Sequence, residues 1–179
     1  MPLSLVNVSW AGGGGDWGTA TNWTPNGVPN NGANTYNVTI NSGGQDSVYL
    51  DVSAAIASLA LGGAAGGSAS LTSSTGQTLT ITGGFTINTN GELSLSNAGS
   101  NLTTGTFSSS GEVSIGSGTT LTMTNEPDGI TDVVAGSHLS VAGAFNAGAN
   151  NGLYKLNSVE GFLTLENGAA TSITPGTGT

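Results

Sequence analysis

Apolar and polar residues alternate along most of the chain in short runs, each closed by Gly, Asn or Ser. Val38-Thr39-Ile40, Val48-Tyr49-Leu50, Leu59-Ala60-Leu61, Leu79-Thr80-Ile81, Phe85-Thr86-Ile87 and Leu93-Ser94-Leu95 open the series. Val113-Ser114-Ile115, Leu121-Thr122-Met123, Leu139-Ser140-Val141 and Leu163-Thr164-Leu165 continue it. A period of two turns every second side chain to the same side, so each run predicts a short strand with one buried face. No window of a dozen residues holds apolar positions at helical spacing without glycines or β-branched runs interrupting it. The one ambiguous stretch is residues 52–61, whose end reads as strand.

The strands also recur on a longer period. Leu93, Val113 and Val133 are evenly spaced, and Leu102, Leu121 and Leu139, like Phe85 and Phe107, keep nearly the same interval. A common period of about twenty positions, holding several short strands, indicates a coil. One coil cannot bury its apolar side alone; stacked coils form a continuous interior column and pair backbone groups with the rung above or below. The expected fold is all-β, a three-faced parallel β-helix of about six coils of ~20 residues. Its hand is expected to be right, from the general chirality of parallel β connections. A sandwich would need longer strands joined by regular two-residue hairpins, which the chain lacks.

Residues 1–36 differ from the rest of the chain. They hold all three tryptophans, Trp10, Trp17 and Trp23, with the run Gly12-Gly13-Gly14-Gly15 and Pro25 and Pro29. A stack of coils leaves an apolar end and unpaired strand edges that need covering, so this segment is expected to be an N-terminal cap. Residues 37–174 are expected to form the solenoid, and 175–179, Pro-Gly-Thr-Gly-Thr, a linker.

Charge narrows the function. Ten acidic residues stand against Lys155, no arginine and one histidine, His138, for a formal net charge of −9. That balance repels phosphate backbones and anionic headgroups, so nucleic acid is not an expected partner. With no cysteine, disulfides and thiolate metal sites are excluded. The hydrophobic fraction of 36% is too high for a disordered chain of low charge, so the chain is expected to fold. No segment approaches the about 20 apolar residues of a membrane-spanning helix, and residues 1–6 lack a basic, apolar leader. An exported protein of this kind would carry its signal outside these residues.

The segment Trp10-Ala11-Gly12-Gly13-Gly14-Gly15-Asp16-Trp17, with Asn22-Trp23 and Val28-Pro29, resembles the opening motif of bacterial exported proteins with autotransporter-type β-strand repeats. In that family the motif precedes stacked rungs like those expected from Val38 to Ile173. The resemblance implies a surface-displayed or secreted β-helical passenger with an adhesin-like role. It brings no catalytic residues with it.

Four groups of residues are candidates for chemistry. Glu92, Glu112 and Asp132 each precede an inward apolar residue at the same even spacing and are expected to stack as an acidic ladder. Unit charges on adjacent rungs, about 4.8 Å apart, repel by roughly 0.9 kcal/mol in water, which splayed side chains or a bridging Ca²⁺ would relieve. Thr78, Thr80 and Thr82 in one rung and Thr120, Thr122 and Thr124 in another, with Asn101 and Thr103 between, form a threonine array like that of ice-binding solenoids, fading at His138 and Ser140. β-propensity alone also explains such threonines. Trp10, Trp17, Trp23 and Tyr36 form either a self-packed cap or an aromatic platform for sugars. Asp128 and Asp132, with His138 beyond, are the nearest match to a hydrolase site, but Pro127-Asp128-Gly129 reads more simply as a turn.

A lyase would need basic residues that this chain barely supplies, and no catalytic residue is assigned. The expected function is non-catalytic: a secreted or cell-surface structural or adhesion module with no cofactor other than Ca²⁺. Its expected partners are glycans, a host or neighbouring cell surface, or other copies joined through the coil ends. A carbohydrate-binding module of a larger secreted protein is the alternative, and ice binding the next.

Overall fold

In the computed structural model the described residues are 4–63 and 66–166. Strands account for nearly all of the regular structure, with a single turn of 3-10 helix at Ala20–Asn22. They stack as parallel rungs of a β-solenoid. One ladder of seven strands runs Gly14–Asp16, Gln45–Leu50, Ser68–Ser73, Gly91–Leu95, Glu112–Ile115, His138–Val141 and Phe162–Leu165. Seven successive strands on one face bound six turns of chain.

The other two faces share a ten-stranded sheet that bends. Thr78–Ile87 and Asn101–Ser109 each cross the bend, and their register shifts between Thr104 and Thr106. Residues 78–81 and 101–104 continue into Thr120–Met123 and Ala144–Ala147. Those strands make the first face; residues 84–87 and 106–109, on the second, instead stack on Ser58–Leu61 and Asn34–Ile40, and the seven-strand ladder is the third. A two-stranded sheet, Asp132–Val133 with Ser158–Val159, stands apart.

Inward residues form the expected columns. Val48, Leu71, Leu93, Val113, Leu139 and Leu163 are register partners in sequence, and the first five are buried. Here one expectation is corrected: Val133 is not the neighbour of Val113. Leu139 is, because the chain makes a detour between Met123 and Ser137. The turns are therefore unequal: down this column the step from Leu93 to Val113 is the shortest and the step from Val113 to Leu139 the longest. Parallel pairing fixes the faces and leaves corner length free.

Between the second and third faces the backbone passes so close to the rung below that side chains are excluded. A Cβ on Gly111 would run into the carbonyl oxygens of Gly91 and Asn88, and one on Gly91 into that of Leu61. Glycine at this corner follows from contact, since neither residue has a positive φ.

The N-terminal segment does more than cover an end. Ser4–Trp10 already pairs in parallel with Asn34–Ile40, and Gly14–Asp16 with Gln45–Leu50, so the first rung lies within residues 1–36. The covering piece is the excursion after Asp16, which returns as Trp23–Thr24 antiparallel to Ser9 and Trp10 at the sheet's edge. Residues 167–179, including the expected linker, lie outside the described residues.

Candidate functional site

The tryptophans form no surface platform. Trp10, Trp17 and Trp23 are 3%, 0% and 0% exposed, and their indole N–H groups donate to the carbonyl oxygens of Gly13, Pro29 and Trp17 respectively. Trp23 meets both others edge to face, with centroids 4.9 Å and 4.8 Å away. Tyr36 is half-buried and packs against the same core. An amphipathic ring presents a sugar-binding surface only when its face is open, and these faces are not. The tryptophan set is thereby corrected from ligand site to core.

The acidic ladder is shorter than its spacing suggested. Glu92 and Glu112 are neighbours, but the next rung places His138, not Asp132, beside Glu112. His138 Nδ1 lies 3.6 Å from Glu112 Oε1, and its Nε2 lies 3.3 Å from Thr164 Oγ1. Asp132 belongs to the separate small sheet, where Ser158 and Thr131 donate to its carboxylate and hold its pKa below the ordinary range. Of the three carboxylates expected to stack, Glu92 and Glu112 are adjacent and Asp132 lies outside their row.

The threonine array keeps its expected register: Thr80, Thr103 and Thr122 are successive partners, as are Thr78, Asn101 and Thr120. Thr82 and Thr124 extend their rungs at the exposed bend. The row ends at Ala55 on one side and at Ala144 and Asn146 on the other. His138 and Ser140, expected as its continuation, lie on the third face instead.

Two depressions among the described residues bear on function. A polar groove of about 490 Å³ follows the glycine corner and is flanked by Gln45, Ser70, Asn90, Glu92, Glu112 and His138. The second, about 500 Å³, opens where the second face is interrupted. After Met123 the ladder continues only through Thr124 and Asn125, whose N–H groups donate to Thr104 and Gly105. The chain then turns at Pro127-Asp128-Gly129, and Ile130 donates to Gly152 in the following rung. Thr131 and Val133 likewise accept from residues 157–161, so this segment joins the rung ahead and leaves the one behind.

Residues 106–109 consequently pair with 84–87 on one side and with no strand of the described residues on the other. The Phe107 N–H donates to Glu126 Oε2 at 3.1 Å, where a strand's carbonyl would otherwise sit. Burial pushes the Glu126 carboxyl above its ordinary value, and the Phe107 hydrogen bond opposes that. Phe107, Val113, Ile130, Val133 and Leu139 supply the apolar lining. Asp128 is held by Lys155 Nζ at 2.9 Å and Asp132 by its hydroxyl donors, so both carboxylates of the hydrolase reading serve contacts within the chain.

The Glu126 cleft is absent from the sequence-based candidates. Its signal was the long step from Val113 to Leu139, set against the shorter one from Leu93 to Val113.

No curated protein and no solved structure matches the chain. Residues 9–128, from the end of the first strand to the turn at Asp128, match a family described as a domain of unknown function, DUF8693. This match takes in the aromatic end and the first continuous rungs, and the chain belongs to that family.

Proposed function

We propose that the chain is a non-catalytic module of a secreted or cell-surface protein, a rigid β-solenoid that presents fixed rows of outward side chains for adhesion. The observation that carries this reading is register. Ser47, Ser70, Glu92, Glu112 and His138 are successive partners on one face, held in place by the buried column behind them. Such a surface is pre-organised, so little side-chain or backbone freedom is lost on contact. Its Ser-, Thr- and Asn-rich, lysine-poor composition supports an exported setting.

The test is retention of beads carrying the chain on extracellular-matrix proteins, glycans and cell surfaces under flow. Beads carrying a Ser70→Lys/Glu92→Lys/Glu112→Lys variant serve as comparison. Retention on at least one surface, lost in the variant, is expected. No retention anywhere, or equal retention of both, counts against the proposal.

Carbohydrate binding is the second reading, and it moves from the tryptophans to the polar groove. Carboxylates, two carboxamides and hydroxyls line it along the stacking direction, the donor and acceptor mix an extended neutral glycan needs. Glycan-array binding weakened by Glu112→Gln would support it; binding that ignores the substitution would not.

A further inference from the structure

The interrupted second face combines three features in one place. Residues 106–109 offer one side of a strand for pairing, the floor beside them is apolar, and Glu126 lies at the edge with its carboxylate on the Phe107 amide. Amide groups of alternate residues point to the same side of a strand, so the Ser109 amide faces the cleft as Phe107's does. An open strand edge beside a pocket is the arrangement used for β-strand addition, in which main-chain bonds give affinity and alternate side chains give selectivity.

The charge selects the guest. Glu126 and Asp132 line the cleft, Asp128 is matched by Lys155, and the chain as a whole carries −9. A carboxylate partly withdrawn from water gains most from a cation brought beside it. We propose that this cleft binds an extended segment of another polypeptide that carries a lysine or arginine, paired through its main chain with residues 106–109. An apolar side chain of the guest sits on Phe107, Ile130 and Val133, and the cation meets Glu126, whose hold on the Phe107 amide is taken over by a guest carbonyl. The edge accommodates about four residues of guest at ~3.3 Å each.

The experiment titrates the full chain, ¹⁵N-labelled, with two fluorescein-labelled peptides, Thr-Val-Lys-Val-Thr and Thr-Val-Glu-Val-Thr, and repeats the titration with Glu126→Gln and with the chain ending at Glu166. Amide shifts confined to the cleft, residues 106–113, 126–134 and 137–139, are expected, with the lysine peptide bound about tenfold more tightly than the glutamate peptide. Glu126→Gln, which keeps an acceptor for Phe107, brings the two peptides to equal affinity. Shifts elsewhere, or equal binding of both peptides by the unaltered chain, overturn the proposal. A gain of about tenfold on removing residues 167–179 also overturns it, because the chain's own end would then be the occupant.

Discussion

The indole of Trp23 donates to the carbonyl oxygen of Trp17 at 2.8 Å, and the two rings meet edge to face with centroids 4.8 Å apart. Both are fully buried, and Trp23 begins the short edge strand. One side chain thus closes the aromatic cluster and ties the excursion after Asp16 back to the first rung.

Replacing Trp23 with alanine is expected to cost about 3–5 kcal/mol, from lost burial and the cavity left behind. Trp23→Phe keeps one aromatic ring and loses the N–H bond and part of the indole's volume, so it should cost less than alanine. Urea unfolding of the two variants checks the order. Tryptophan emission of the unaltered chain should be blue-shifted and resistant to acrylamide.

Gly111→Ala should destabilise by roughly 1–3 kcal/mol, because the new methyl meets backbone oxygens that cannot retreat without breaking the ladder. Gly136 has a φ of 82° and nothing within 4 Å of a built Cβ. Its alanine variant bears only the left-handed backbone penalty, about 1–2 kcal/mol. Melting curves in which Gly111→Ala proves harmless would contradict the close corner.

Ser73 points inward beside Leu50, and its buried hydroxyl has no hydrogen-bond partner. An unmet buried hydroxyl costs about 1–3 kcal/mol, so Ser73→Ala is expected to raise stability by around 1 kcal/mol. A shift of the urea midpoint at constant slope is the readout.

For Glu126 the folded pKa is raised, so the stability linked to it is complete below the unfolded pKa and is lost as pH rises through the folded value. Asp132 has the opposite sign: its lowered pKa stabilises above the unfolded value and is lost toward acid. Comparing the unaltered chain with Glu126→Gln cancels the Asp132 contribution and those of neighbouring Asp128, His138 and Lys155. The variant should match the unaltered chain near pH 3 and melt higher at pH 7. Because Glu126 is partly solvated, the gap is expected to stay within about 2 °C.

The stacked architecture was legible because a period of two, repeated with glycine punctuation, admits little besides short strands. Pairs such as Leu93 with Val113 and Thr80 with Thr103 follow from that spacing. Val133 shows where such counting stops: it is in numerical phase with Val113, yet the detour through Pro127 moves it to another sheet and gives its place to Leu139. Corner length is set by contacts and turns, not by the apolar pattern, so an irregular turn shifts every later assignment. Glu126 was illegible for a different reason. Its partner is a distant main-chain amide, that of Phe107, and main-chain amides leave no mark in a side-chain pattern.

The reversed strand Trp23–Thr24 carries a consequence for how molecules could join. It runs against the direction of the rungs, so a coil stacked on it in the rungs' direction would meet it antiparallel and end the run of parallel pairs. Among the described residues, 4–8 of the first strand and Gly14–Asp16 have no strand on that side. Open filaments need two unlike ends that accept each other without limit. At this tip a parallel rung would have only residues 4–8 and 14–16 to pair with, so Trp23–Thr24 shortens the landing that such a filament would need.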